Sequence, residues 1–109
     1  MNHSFQDAVS LEMAGRIANG LPRHPEWVEF ARTNLNRWIR QNSDAPSLLR
    51  CYDEWRELLE QPVAEICRIL TAQTEEGQRI RQNSPFAGIL APTEVWEIKR
   101  RLRNATPAP

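Results

Sequence analysis

Residues 25–70 read PEWVEFARTNLNRWIRQNSDAPSLLRCYDEWRELLEQPVAEICRIL and decide the fold of this chain. Three segments of this stretch begin with a proline and continue with apolar residues three or four positions apart, the spacing of one helix face. Proline is tolerated in the first turn of a helix, because its missing N–H would have no hydrogen-bond partner there. The stretch therefore predicts three consecutive helices that begin at Pro25, Pro46 and Pro62.

The three predicted helices are short and closely connected. The first extends to about Gln41, and the second runs from about Pro46 to Glu60, after turn-forming residues at 42–44. Only Gln61 separates the predicted end of the second helix at Glu60 from the start of the third at Pro62. The second and third helices are therefore expected to fold back on each other or to cross steeply. The apolar residues expected to face the core are Val28, Ala31, Leu35 and Trp38 in the first helix, Leu48, Tyr52, Trp55 and Leu59 in the second, and Val63, Ile66, Cys67 and Leu70 in the third.

Further helices are predicted on both sides of this stretch. Toward the N-terminus, apolar residues at every fourth position predict a helix from Phe5 to Asn19, which Gly20 ends in the left-handed conformation. Toward the C-terminus, Thr74 can cap a short polar helix over residues 75–83. A last helix is expected from Pro92 to about Arg103, because apolar residues again recur at helical spacing.

The segment between the last two predicted helices reads SPFAGILAP, residues 84–92, and is apolar but interrupted by Pro85, Gly88 and Pro92. It is expected to form an ordered loop. The chain has no strand-like alternation and no Asn-Gly pair between strand-like runs. We therefore predict an all-α fold, a compact single domain of five to six short amphipathic helices with tight turns. This domain would span residues 4–103, with residues 1–3 and 104–109 frayed.

Composition predicts a soluble protein of ordinary character. Of the 109 residues, 40% are hydrophobic and 26% are charged, close to the averages for globular domains. The 14 basic residues balance 14 acidic ones, so the whole molecule has no electrostatic attraction to nucleic acid or to a membrane surface. No apolar run approaches the ~20 residues of a membrane span, and residues 1–13 lack the features of a signal peptide. Because Cys51 and Cys67 are too few for a disulfide framework, a reduced, cytoplasmic protein is expected.

The chain lacks the residue patterns that catalysis and metal binding require. A metal site needs three or four ligands at suitable spacing, whereas His3, His24, Cys51 and Cys67 are scattered. No Gly-rich phosphate loop is present. The acidic residues between positions 53 and 60 are expected on the solvated face of their helix, where acid–base catalysis has no pocket. We therefore expect a non-enzymatic protein with no metal and no cofactor.

A basic and aromatic segment near the C-terminus is the candidate binding surface. Four basic residues lie between positions 99 and 103, and Trp96 and Phe86 lie outside the predicted core positions. Tryptophan and arginine side chains dominate the binding energy at protein interfaces. Two other interpretations stay open, namely that the cations complement the helix dipole and that Phe86 closes the core. The expected partner-binding residues are Arg79, Arg81, Gln82, Asn83, Phe86, Trp96, Lys99, Arg100 and Arg101.

Three stretches of the chain together resemble small helical bacterial proteins of the antitoxin type. They are HPEWVEFARTNLNRWI at 24–39, YDEWRELLEQP at 52–62 and EEGQRIRQNSPFAGILAPTEVWEIKRR at 75–101. The most specific part of the resemblance is residues 81–88 followed by Trp96. Such proteins are encoded beside a toxin gene, in several cases one for a nucleotidyltransferase. The resemblance implies a protein that neutralises its cognate toxin enzyme by direct contact.

The alternative hypothesis is a small DNA-binding transcriptional regulator. Residues 25–41 or 46–60 would then form the recognition helix, which needs polar side chains at its exposed N-terminal positions. The second of these helices offers only Ser47 and Arg50 before its acidic residues. The first helix offers four suitable side chains, namely Arg32, Asn34, Asn36 and Arg37. The basic C-terminal cluster is a further place where nucleic acid could bind.

Overall fold

The fold consists of six α-helices in a computed structural model that describes residues 3–105. The helices are α1 (His3–Gly20), α2 (Trp27–Gln41), α3 (Pro46–Leu58), α4 (Val63–Leu70), α5 (Glu75–Arg81) and α6 (Pro92–Ala105). Residues 3–105 contain no β-strand, so the predicted all-α fold with five to six helices is confirmed. The fraying expected at residues 1–3 and 104–109 falls mostly outside the described residues, and His3, Asn104 and Ala105 are helical.

Three helix boundaries differ from the sequence prediction because short turns replace the expected helical residues. One is the end of α5, which lies at Arg81 rather than at residue 83. α2 begins at Trp27 rather than at Pro25. The N–H groups of Trp27 and Val28 donate to the carbonyls three residues earlier, at 3.0 and 3.1 Å, so Pro25 belongs to a tight turn. α3 ends at Leu58 instead of Glu60, because Glu60 N–H also donates three residues back, to Glu57.

Gly20 has a different role from the one predicted. It is helical, and the only glycine of the described chain with a positive φ is Gly88. A Cβ at Gly20 would lie 2.5 Å from Cη2 of Trp27, closer than two carbon atoms can approach. Gly20 therefore allows the indole of Trp27 to pack directly on the end of α1.

The helices enclose one core, and four of the six, α1 to α4, contribute buried residues to its central cluster. α1 packs against α4, α5 and α6, while α2 packs against α3. The indole of Trp55 lies near the centre of the cluster, only 1% exposed. Each large apolar side chain that is buried contributes about 1.5–3 kcal/mol to the free energy of unfolding, so this cluster is the main source of stability. The buried members of the cluster are Ala14, Ile17, Leu21, Ala31, Leu35, Tyr52, Trp55, Leu59, Ile66, Leu70 and Phe86.

The connection between α5 and α6 is an ordered loop, as predicted, and Asn34 of α2 holds it. Asn34 Nδ2 donates to the carbonyls of Pro85 and Ala87 at 2.8 and 3.0 Å. Its Oδ1 accepts a hydrogen bond from Arg37 Nη2 at 2.8 Å. The buried amide of Asn34 is thus hydrogen-bonded through both its oxygen and its nitrogen, which removes the desolvation cost of an unpaired polar group. Gly88 completes the loop with φ +97°, a conformation that favours glycine.

Candidate partner-binding surface

The predicted partner-binding residues divide between two elements. The residues from Arg79 to Phe86 belong to α5 and the loop after it, and those from Trp96 to Arg101 belong to α6. Both helices pack against α1. In the first group Gln82 is exposed and Asn83 is half-buried, so both remain at the surface. The other members of that group are engaged within the fold.

Phe86 is a core residue and not a surface residue. Its side chain is 1% exposed, and its ring meets the indole of Trp55 edge-on, with ring centroids 6.1 Å apart and planes at 75°. This T-shaped arrangement is one of the two that aromatic pairs prefer. The predicted surface role of Phe86 is therefore wrong, and the interpretation in which it closes the core describes its position.

Arg81 is also buried, with 6% of the residue exposed. Its Nη1 donates to the carbonyls of Leu70 and Ala72, at 3.1 and 2.6 Å, in the connection from α4 to α5. Burial lowers the pKa of this guanidinium, and the charge of Asp7 raises it in part. The predicted exposure of Arg81 on α5 is wrong, because free carbonyl groups at the end of α4 draw the side chain inward.

Arg79 is exposed but already paired with two carboxylates. Its Nη1 and Nη2 donate to the two oxygens of Glu54 at 3.0 and 2.7 Å, and its Nε donates to Glu76 at 2.7 Å. The pKa of Arg79 is raised by Glu54 first and by Glu76 second, and Arg79 in turn lowers the pKa of the Glu54 carboxyl. The ion pair of Arg79 with Glu54 therefore links α5 to α3. The positive charge of Arg79 is already neutralised within the fold and is not free to pair with a partner protein.

One side of α6 is joined to α1 by alternating charges. Arg16 of α1 donates to Glu94 at 3.0 Å and to Glu12 at 3.1 Å, and Arg101 pairs with Glu12 at 3.2 Å. The pKa of Glu12 is lowered by Arg16 first, and Arg101 contributes further. Arg101, although exposed, therefore fixes α6 on α1 rather than standing free for a partner.

The opposite side of α6 is the strongest candidate for a binding surface, and we name it the α6 outer face. It contains Trp96, Lys99, Arg100 and Arg103, which lie three or four positions apart and so share one side of the helix. Trp96 is 62% exposed, and the guanidinium carbon of Arg100 lies 5.4 Å from the centroid of its ring. Arg103 lies 5.7 Å from the ring of Phe5. Within residues 3–105, Lys99, Arg100 and Arg103 form no ion pair with a carboxylate.

A second exposed aromatic side chain, Phe30, was not predicted. Phe30 is 41% exposed and lies beside Gly88, where an added Cβ would come within 3.2 Å of its ring. The exposure of Phe30 could have been predicted from helical spacing, because Phe30 lies on the side of α2 opposite the core residues Val28 and Leu35. It shares a side of α2 with Asn34, so it covers the loop that Asn34 holds.

The polar residues that would make α2 a recognition helix are mostly used within the fold. Arg32 donates to Glu29 at 2.7 Å and to the Leu59 carbonyl at 3.1 Å. Asn34 is buried, and Arg37 donates to it. Of the four proposed base-reading side chains only Asn36 is exposed without a described hydrogen bond. Because these side chains already form hydrogen bonds within the protein, the hypothesis that α2 is a DNA-recognition helix is weakened.

The described residues contain neither a cluster suited to a metal ion nor a helix suited to spanning a membrane. Among residues 3–105, no group of three or more His, Cys, Asp or Glu side chains is placed to hold a metal ion. None of the helices in this range combines the length and the apolar character needed to cross a membrane. Cys51 and Cys67 are both free thiols.

Compared with family models, with curated proteins and with solved structures, the chain has no match. The exposed residues of the α6 outer face therefore provide the strongest guide to function.

Proposed function

We propose that this protein is a non-enzymatic, antitoxin-like binding protein that neutralises a partner toxin enzyme by direct contact through the α6 outer face. The observation that carries the proposal is Trp96, a large aromatic side chain left 62% exposed with Arg100 stacked against it. Tryptophan and arginine are the residue types most enriched among the side chains that dominate binding energy. Their adjacency on one helix supports a protein partner.

The charges of the α6 outer face define the chemistry of that partner. Lys99, Arg100 and Arg103 have no described carboxylate partner, in contrast to Arg79 and Arg101. The complementary surface would therefore be acidic around an apolar pocket that accepts the indole of Trp96. By the resemblance of the sequence, we propose a cytoplasmic toxin encoded beside this protein as the partner, a nucleotidyltransferase being one candidate class.

The experiment that tests the proposal is co-expression of the tagged protein with the product of the neighbouring gene, followed by co-purification and a growth assay. We expect the two proteins to purify together and growth inhibition by the neighbour to disappear. Trp96→Ala should weaken the complex by about 2 kcal/mol or more, roughly thirty-fold in Kd, without unfolding the protein.

Arg100→Ala and Arg40→Ala form a matched pair for the same assay. Both remove one exposed arginine, but Arg40 lies at the end of α2, outside the α6 outer face. We expect Arg100→Ala to weaken the complex and Arg40→Ala to leave its affinity unchanged. Equal losses in the two variants would show that general charge, not this surface, controls binding.

DNA binding through the same three cations is the competing outcome. A regulator would bind duplex DNA with an affinity that falls steeply with salt, since each phosphate contact releases counterions. Electrophoretic shift assays with the promoter region of its own gene test this directly. A specific, Arg100-dependent shift, together with no co-purifying protein, would replace the proposed function with a regulatory one.

A further inference from the structure

A groove between α1 and the loop after α5 is a second feature of the surface, separate from the α6 outer face. Its volume is about 190 Å³, and its lining is mostly apolar. The polar residues of the wall are Ser10, Arg81, Gln82 and Ser84, and its larger apolar residues include Met13 and Phe86. Apolar walls with a few placed polar groups are typical of small-molecule sites.

The guanidinium in this wall forms no ion pair within residues 3–105 of the chain. Both hydrogen bonds of Arg81 within the described chain are made by Nη1, and both acceptors are uncharged carbonyls. Its Nε is buried and has no hydrogen-bond partner among residues 3–105. Asp7 influences Arg81 only through space, without forming an ion pair. Because a buried cation is normally paired with an anion, Arg81 has a net attraction for a carboxylate in the groove.

We propose that this groove binds a small apolar monocarboxylate, whose carboxylate pairs with Arg81 and whose apolar part packs against Met13 and Phe86. The size of the groove selects the occupant. A protein cavity of about 150 Å³ takes up one benzene molecule, so a groove of this volume suits a single ring and not a helix or strand of a partner protein. The charge of Arg81 then selects an anion over a neutral molecule of the same shape.

This inference does not depend on the proposed antitoxin function, and its probe is sodium benzoate. Isothermal titration calorimetry on the full chain would compare benzoate with benzamide, which has nearly the same shape but no charge. We expect benzoate to bind at least about tenfold more tightly, since hydrogen bonds to charged groups are the stronger ones. Arg81→Gln should remove that preference.

A variant that fills the groove keeps the proposal testable if Arg81→Gln does not fold. Ser10→Phe places a ring in the groove and retains Arg81, so it should abolish benzoate binding. Ala8→Phe is the matched control, because Ala8 is exposed on α1 and does not line this groove. Benzoate should bind to this control as it does to the unmodified protein.

Three results would overturn the assignment. They are no benzoate binding, equal affinity for benzoate and benzamide, and undiminished benzoate binding to Ser10→Phe. A peptide with a C-terminal phenylalanine carboxylate provides the last comparison. Binding of that peptide much more tightly than benzoate would reject a small-molecule site in favour of a protein chain terminus.

Discussion

Phe86 makes its main aromatic contact with Trp55, and both side chains are only 1% exposed. Phe86→Ala should therefore lower the free energy of unfolding by about 3–5 kcal/mol, since a cavity remains where the ring was. Urea denaturation monitored by far-UV circular dichroism measures this loss. Gln82→Ala, a change at an exposed residue four positions away, should alter stability by less than about 0.5 kcal/mol. A well-folded Phe86→Ala protein that loses only partner affinity would contradict this prediction.

Two glycines should respond to alanine in opposite directions. At Gly88, φ is +97° and a Cβ would lie 3.2 Å from the ring of Phe30, so Gly88→Ala should destabilise the fold by about 1–2 kcal/mol. At Gly15, within α1, a Cβ would meet nothing within 4 Å, so Gly15→Ala should stabilise it by about 0.5–1 kcal/mol. Thermal melts of the two variants provide the comparison, and a lower melting temperature for Gly15→Ala would contradict it.

At the scale of the helices, ionised Glu12 contributes to the α1–α6 contact through its ion pair with Arg101. Arg16 and Arg101 hold the pKa of Glu12 below its ordinary value of 4.5, so this contribution to stability is complete above that pH. It is lost as the pH falls through the lower pKa of the folded state. Because these groups are partly exposed, we expect the loss to stay below about 1 kcal/mol and to shrink in high salt.

Glu12→Gln is the variant that removes the ion pairs of Glu12 with Arg16 and Arg101 and leaves the rest of the contact in place. It should lower stability at pH 7 and flatten the decline between pH 5 and pH 3, measured by urea denaturation across that range. Glu57→Gln is the matched control, because Glu57 is exposed on α3 and forms no described ion pair. An unchanged acid profile in Glu12→Gln would show that the ion pairs of Glu12 contribute nothing to holding α6 on α1.

The sequence predicted the helices more fully than the candidate surface, for a physical reason. Helical spacing identifies local elements, and the position of Trp96 off the apolar side of α6 correctly predicted its exposure. Arg81 could not be predicted in the same way, since the carbonyls of Leu70 and Ala72 reach it only after α4 and α5 pack together. Phe86 stayed ambiguous because Asn34, distant in sequence, positions its loop.

At the scale of the whole molecule, zero net charge conceals an uneven distribution. Lys99, Arg100 and Arg103 are concentrated on the α6 outer face, whereas exposed acids such as Glu57 and Glu60 lie near the end of α3. Raising NaCl from 0.1 to 0.5 M should therefore weaken the partner complex several-fold while changing the unfolding free energy little. Surface plasmon resonance at several salt concentrations measures this, with Arg40→Ala retaining the normal salt slope. A salt-independent affinity would argue against an acidic partner surface.

The hydrogen bonds of Asn34 join residues 51 and 53 positions apart in sequence. A contact over such a distance forms only after a long stretch of chain has been closed, so the 82–91 loop should acquire its shape together with the core and not before it. The hydrogen bonds of Asn34 also control how readily the 82–91 loop detaches from the core. The amide hydrogens of Phe86 and Ile89 lie outside any helix, yet they should exchange with solvent as slowly as those at the centre of α3, because releasing the loop requires withdrawing the Phe86 ring from Trp55. A segment without helix or strand thereby becomes part of the last unit to open.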